Sequence, residues 1–296
     1  MKYFLSIICI SFLLTGPIND SMNINLLPIS AQSSALGGVY IPFDANGKIS
    51  FSHLSRFGGI YTLDALQYDN ILFTSHGIED IPNTLEAWVY NDNGPEAHEI
   101  DYSKISNFDA KDYNLIFYKN LKNKYNIGLK STISKVYNNF GYGLGFNFLT
   151  TKRSLKGFNY HIGIYDILSF KIWPINLESK DNIIELYVPQ FMVSLEREFL
   201  NSLNILTLYS LYNDENNNII DYRVGSKVDL TDNLNILFGK STFNKFSFGF
   251  SISNKLFNVD YSYIISRDDL PFENSYNISI EFDISELRSR SKNFYP

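Results

Sequence analysis

The chain has 296 residues, 45% hydrophobic and 19% charged, a balance that argues against intrinsic disorder and allows two ordinary domains or one large β-structure. A formal charge of −6 with no basic stripe argues against nucleic acid as a partner. Aromatic residues reach 16%, with 21 Tyr and 24 Phe, an enrichment that suits pleated surfaces.

In chain order, the first segment reads as a secretory signal over residues 1–20. Lys2 supplies a positive charge, and Tyr3 to Leu14 forms an apolar run that Thr15, Gly16 and Pro17 break. The run is too short to cross a bilayer as a helix, and cleavage is expected between Gly16 and Met22. The only cysteine, Cys9, lies inside the run, so the mature protein is expected to carry no disulfide, thiolate metal site or cysteine nucleophile. No later stretch approaches the length of a transmembrane helix, so any membrane role has to use strands.

From residue 47 to 284 the dominant signal is period two. In Phe246–Ile265, Phe246, Phe248, Phe250 and Ile252 alternate with Ser247, Gly249 and Ser251. Tyr142, Leu144, Phe146 and Phe148 alternate with Gly141, Gly143, Gly145 and Asn147, and Tyr276–Ile278–Ile280–Phe282 alternate with polar residues. Strands are predicted over 47–54, 58–66, 69–75, 112–120, 123–135, 139–150, 157–169, 183–199, 201–212, 219–230, 233–241, 243–254, 256–266 and 275–284. That is about fourteen, an even number as in bacterial outer-membrane barrels. Connections after even strands (121–122, 200, 231–232, 255) are tight, and several after odd ones (76–111, 170–182, 213–218, 267–274) are longer and polar.

Two architectures satisfy this pattern. A soluble antiparallel sandwich would bury the aromatic face in a core. A transmembrane antiparallel β-barrel would turn that face to outer-membrane lipid and the Gly/Ser/Asp/Asn face to a lumen, with ring closure pairing every backbone group. Aromatic content, strand length and the alternation of loop length favour the barrel. Residues 285–296 are expected to form a short periplasmic tail without a fold of its own.

Motifs for catalysis are absent from the pattern. His53, His76, His98 and His161 show no i, i+4 pairing and no H-E-x-x-H, so no metal or other cofactor is expected. No G-x-S-x-G elbow occurs, and the chain is expected to be non-enzymatic. Gly141, Gly143 and Gly145 lie mid-strand with no helix following, and read as lumen glycines that let a plug or loop backbone approach. Asp92-Asn93-Gly94 lacks the acids of a calcium loop and reads as a turn. Pro82 and Pro95 bracket a stretch with room for one short helical turn. The 76–111 connection carries Trp88, Tyr90 and Asp92, and the 170–182 connection carries Trp173. These are the candidate residues for binding a ligand or partner, either as a contact surface or as a lid over the barrel mouth.

Several stretches resemble the PorV/PorQ family of outer-membrane proteins, relatives of FadL-type transporters of hydrophobic compounds. They are SSALGGVYIPFD (Ser33–Asp44), ISFSHLSRFGGIYTLDAL (Ile49–Leu66), GIEDIPNTLEAWVYNDNGPE (Gly77–Glu96), Phe108–Phe148, and Phe246–Leu270 with Ser275–Ile284. The resemblance is weakest from Ile172 to Asn218. It implies a barrel over 47–284 preceded by a plug over 21–46, with Gly37 and Gly38 at its centre. An Asn-Pro-Ala-Gly-Leu-like segment common in the family is missing between Gly38 and Ile49, which implies a shortened plug. The family implies a part in type IX secretion, with secretion-system subunits and secreted cargo proteins as partners at the external loops. The alternative is passage of small hydrophobic compounds through lumen and plug.

Overall fold

The computed structural model describes residues 28–39, 47–56, 59–83, 88–90, 98–100, 106–121, 124–136, 139–150, 153–155, 158–174, 182–199, 203–213, 218–241, 244–266 and 274–288. The expected signal segment, Asp92 and most of the expected tail lie outside them. After a short helix α1 (Ala31–Ala35), the chain is built of strands. These are β1 (Lys48–Arg56), β2 (Tyr61–Tyr68), β3 (Ile71–Asn83), β4 (Trp88–Tyr90), β5 (His98–Ile100), β6 (Ser106–Leu121), β7 (Tyr125–Val136), β8 (Asn139–Thr150) and β9 (Arg153–Leu155). They continue as β10 (Phe158–Trp173), β11 (Ile183–Leu186), β12 (Gln190–Phe199), β13 (Leu203–Asn213), β14 (Asn218–Thr231), β15 (Leu234–Ser241), β16 (Asn244–Ser253), β17 (Phe257–Ser266) and β18 (Ser275–Asp283).

Sixteen strands form one antiparallel sheet, in which β9 and β11 pair only with β10, leaving fourteen in the main circuit. Each of these pairs with its neighbour in sequence, β18 pairs with β1, and β8 pairs with β10, so the circuit returns to its start. Closure removes the edges that an open sheet would present to hydrocarbon. The pleat then sorts the side chains. On β16, Phe248 and Phe250 are 39% and 41% exposed while Ser247 and Ser251 are 0% and 3% exposed. The alternation read from the sequence is therefore aromatic outside and small or polar inside. Outer aromatics pair across strands, as Phe250 with Tyr261 and Phe248 with Tyr263, both at 5.6 Å between ring centroids. No described helix is long and apolar enough to cross a membrane.

The barrel's own first and last residues lie at one end, joined by Lys48–Glu281 at 2.9 Å and by Ile284 N–H donating to the Gly47 carbonyl at 3.0 Å. The turns 69–70 and 232–233 lie at this same end. At the far end lie the strand ends that flank 84–105, 175–181 and 267–273, and also those that flank the two-residue connections 137–138 and 242–243. The alternation of loop length is thus partial.

Four boundaries differ from the sequence reading. β3 continues through Pro82 to Asn83 and β6 begins at Ser106, so the expected 76–111 loop narrows to 84–105. Within it β4 and β5 pair as a small hairpin, with no helical turn described there. β10 runs on to Trp173, which places Trp173 on a barrel strand rather than in a 170–182 loop. The expected 183–199 strand divides into β11 and β12 at Tyr187–Pro189, where proline has no N–H to give a ladder. The tail also begins with structure. Residues 284–288 form a helical turn capped by Asp283, whose carboxylate accepts from the Glu286 N–H at 2.9 Å.

Candidate functional site

The residues that most constrain function lie inside the ring, where the segment 28–39 is docked. Ser30 caps α1, accepting from the Ser33 N–H at 3.1 Å. The helix ends in a Schellman turn. The Gly38 N–H donates to Ser33 O at 2.7 Å and the Gly37 N–H to Ser34 O at 3.1 Å. Gly37 and Gly38 have φ of 76° and 83°, the left-handed region where glycine carries no β-carbon penalty.

The wall receives this segment through its small polar face. Ser279 Oγ accepts from the Ala31 N–H at 2.7 Å, and Ser247 Oγ donates to Ala35 O at 2.9 Å. Asn277 Nδ2 donates to Ser34 Oγ at 2.8 Å, and the Arg223 guanidinium donates to Gly38 O at 2.7 Å. Ser52 Oγ donates to Ile29 O. These bonds satisfy backbone groups that the short segment cannot pair by itself. Three wall glycines make the approach possible. A β-carbon at Gly239 would lie 2.0 Å from the Gly37 nitrogen, and one at Gly225 would lie 2.6 Å from Leu36. At Gly249 it would lie 2.7 Å from the Ala35 β-carbon.

The other side of the segment is apolar. Ala35, Leu36 and Val39 pack with Leu237 on β15, Met192 on β12, Tyr165 on β10 and Leu149 on β8. Tyr118 on β6 joins this cluster to a second one, formed by Ala65, Leu72, Ile116 and Ile29. Apolar contact therefore runs across the lumen from β15 to β2.

Beyond this plate, toward the far end, the lumen is apolar on the β17–β2 side, where Leu54, Tyr61, Leu63 and Ile264 cluster, and polar on the β3–β10 side. His76 on β3 bonds Tyr61 Oη at 3.0 Å and Asn114 at 3.2 Å, and Thr132 donates to Asn114 at 2.7 Å. Lys130 pairs with Asp166, which also accepts from Ser169 Oγ at 3.0 Å. Lys171 reaches Asp112 at 3.4 Å and lies 5.3 Å from the Trp173 ring centre. The segment carrying Asp166 is irregular. β10 shifts register twice against β8 between Ile164 and Phe170, and Asp166 and Leu168 have φ of 55° and 53°. This double bulge aims Asp166 inward.

Gly141, Gly143 and Gly145 face that bulged strand, not α1. A β-carbon at Gly145 would lie 2.1 Å from Ser169 Oγ, at Gly143 2.8 Å from Phe170 O, and at Gly141 2.8 Å from the Trp173 ring. Trp173 thus packs against β8 within the barrel rather than in an external surface. Trp88 and Tyr90 have their backbone on β4 in the 84–105 connection. His76 lies on β3 rather than in a 76–111 loop and is a buried lumen group, and His161 is likewise buried. Among the described residues no group of His, Cys, Asp and Glu could hold a metal ion.

Sequence reasoning singled out Gly37 and Gly38 but missed their receivers Ser247, Asn277, Ser279 and Arg223. A usable signal was present: Gly225, Gly239 and Gly249 sit at lumen positions of three consecutive strands.

No protein-family model matches the chain, and no curated protein matches it by sequence. Solved structures do. The toluene transporter TbuX of Ralstonia pickettii superposes with a TM-score of 0.52 at 10% identity, covering 88% of this chain and 99% of TbuX. The monoaromatic hydrocarbon channel TodX gives 0.41 at 8% identity, covering 87% and 98%, and the KdgM porin 0.32 at 9%, covering 79% and 98%. None of these three is a PorV- or PorQ-type protein. The likeness to TbuX is one of fold, and the chain accordingly has the fold of a transmembrane outer-membrane β-barrel with its N-terminal segment in the lumen.

Proposed function

We propose that this protein is an outer-membrane channel for small hydrophobic compounds, held closed by its own segment 28–39. The observation that carries the reading is the apolar plate. Ala35, Leu36 and Val39 meet Leu149, Tyr165, Met192 and Leu237 across the lumen, an apolar environment with polar groups at its margin. Support also comes from TbuX, a toluene transporter whose fold is similar over nearly its whole length. Passage requires the segment to move, because its present position fills the space between the walls. The hydrogen bonds that hold it are few, the neutral ones individually worth about 0.5–1.5 kcal/mol net and the Arg223 bond about 1.5–3, so movement follows once a ligand competes for the apolar plate.

The test is uptake of radiolabelled toluene by cells with a lipopolysaccharide outer membrane and no channel of their own. Cells making the full chain should take it up several-fold faster than cells without it. Equal rates, with the barrel inserted, would overturn the proposal. A cargo-receiving role in type IX secretion would draw on Trp88, Tyr90 and Asp92, and no observation favours it.

A further inference from the structure

The apolar exterior is not uniform around the ring. On β8, four successive outward positions, Phe140, Tyr142, Leu144 and Phe146, are exposed aromatic or aliphatic side chains. On β18 the same holds for Tyr276, Ile278, Ile280 and Phe282. On β1, β2 and β3 the stripe stops after two positions. Ile49 and Phe51 are followed by His53, Tyr68 and Leu66 by Asp64, and Ile71 and Phe73 by Ser75. Thr62 extends the gap on β2. The strands themselves are not short, since β1 has 9 residues and β2 has 8 against 9 in β18. So a three-strand notch of polar side chains occupies the far half of a wall whose other described strands carry only isolated outward polar residues, such as Ser131 on β7.

At the centre of the notch His53 Nδ1 meets Asp64 Oδ1 at 2.7 Å, with the two side chains 46% and 50% exposed. Groups able to ionise are costly against acyl chains, which offer neither donors nor acceptors, and in membrane walls they mark contacts with something other than lipid. The pair is self-complementary, a ring nitrogen on one strand and a carboxylate on the next. A two-fold axis passing between β1 and β2 would set the His53 of each copy against the Asp64 of the other, the arrangement of an isologous interface.

We propose that the β1–β3 face is a membrane-embedded contact between two copies of this chain, with the exchanged His53–Asp64 pairs at its centre. The contact is independent of what the lumen carries. Phe51, Leu66 and Phe73 extend it on the side toward the barrel's terminal end.

Single cysteines placed in the notch test this in native membranes, in a full-length chain whose Cys9 is replaced by serine. Thr62→Cys should give a disulfide-linked dimer on mild oxidation, several-fold more than Ser75→Cys, which lies about 14 Å from its copy across that axis, or Ser131→Cys on the outward face of β7. Adding His53→Leu with Asp64→Leu should abolish the dimer while the gel mobility of the folded barrel persists. No dimer from Thr62→Cys would overturn the proposal, as would equal yield from Ser75→Cys or Ser131→Cys or a dimer that survives the leucine pair. A linked product with a mass other than twice the chain would assign the face to a different protein and overturn it equally. Should the leucine pair fail to insert, the three cysteine variants decide alone.

Discussion

Two walls of the barrel solve the same problem in different ways. The β14–β18 wall is nearly regular in register and receives a separate segment, α1 and its glycine turn, on a face of glycine and serine. The β8–β10 wall meets that segment only through Leu149 and Tyr165, and beyond them the strand itself moves in. β10 gains extra residues, turns Asp166 toward the axis, and presses on Gly141, Gly143 and Gly145. In both places a glycine marks where backbone approaches backbone or side chain. The difference lies in what is brought inward: an apolar plate held by neutral hydrogen bonds and one charge-assisted bond from Arg223 in one case, a buried ion pair in the other. The first is removable without separating an ion pair, Arg223 losing only the Gly38 carbonyl. The second is not, because a lone buried carboxylate or ammonium is far costlier than a lone serine. The comparison assigns motion to the plug wall and rigidity to the bulged wall.

The largest expected effect is on the rigid side. Lys130→Ala strands Asp166 and should destabilise the barrel by about 3–5 kcal/mol in equilibrium unfolding from lipid vesicles. Replacing both partners by alanine should recover much of that loss. On the plug side, Arg223→Ala removes a charged donor to Gly38 O and should weaken docking by about 1.5–3 kcal/mol. The readout is maleimide labelling of Ala35→Cys, which should rise about tenfold or more with little change in barrel unfolding. If unfolding falls as much as labelling rises, the plug is structural rather than movable.

A smaller pair of changes compares the glycines. Gly239→Val meets the Gly37 backbone, which has no way to rotate aside, and overpacking should cost about 1–3 kcal/mol, relieved by expulsion of the segment. Toluene uptake should then exceed that of the unaltered chain. Gly145→Ala meets the Ser169 hydroxyl and, at 2.9 Å, the Ser169 Cβ, away from the segment, and should cost about 1–3 kcal/mol without changing uptake. Equal effects of the two on uptake would erase the distinction between the walls.

Much of this was legible before any coordinates. The fourteen strands announce themselves because outward aromatics and inward small residues alternate strictly in runs such as Phe246–Ile252 and Tyr142–Phe148. The misses fall where alternation fails for a physical reason. In Asp166-Ile167-Leu168-Ser169 two bulges put consecutive residues out of phase, so β10 looked finished near 169 and Trp173 looked like a loop residue. β3 beyond Ser75 was hidden by Gly77 and Pro82, residues that usually end strands. α1 is five residues long and mostly small, with no periodicity to detect. What positions it is a set of serines, an asparagine and an arginine on strands more than 180 residues away in sequence, a relation that only the closed ring creates.

The central claim, that segment 28–39 sits inside a closed barrel and shuts it, is tested most directly by locking it there. Ala31 N and Ser279 Oγ are 2.7 Å apart, so Ala31→Cys with Ser279→Cys should form a disulfide in the membrane on oxidation. The account predicts that the oxidised protein passes toluene no faster than cells without the channel, and that reduction restores uptake. Failure of the bond to form in folded protein, or unchanged uptake once it has formed, would contradict it.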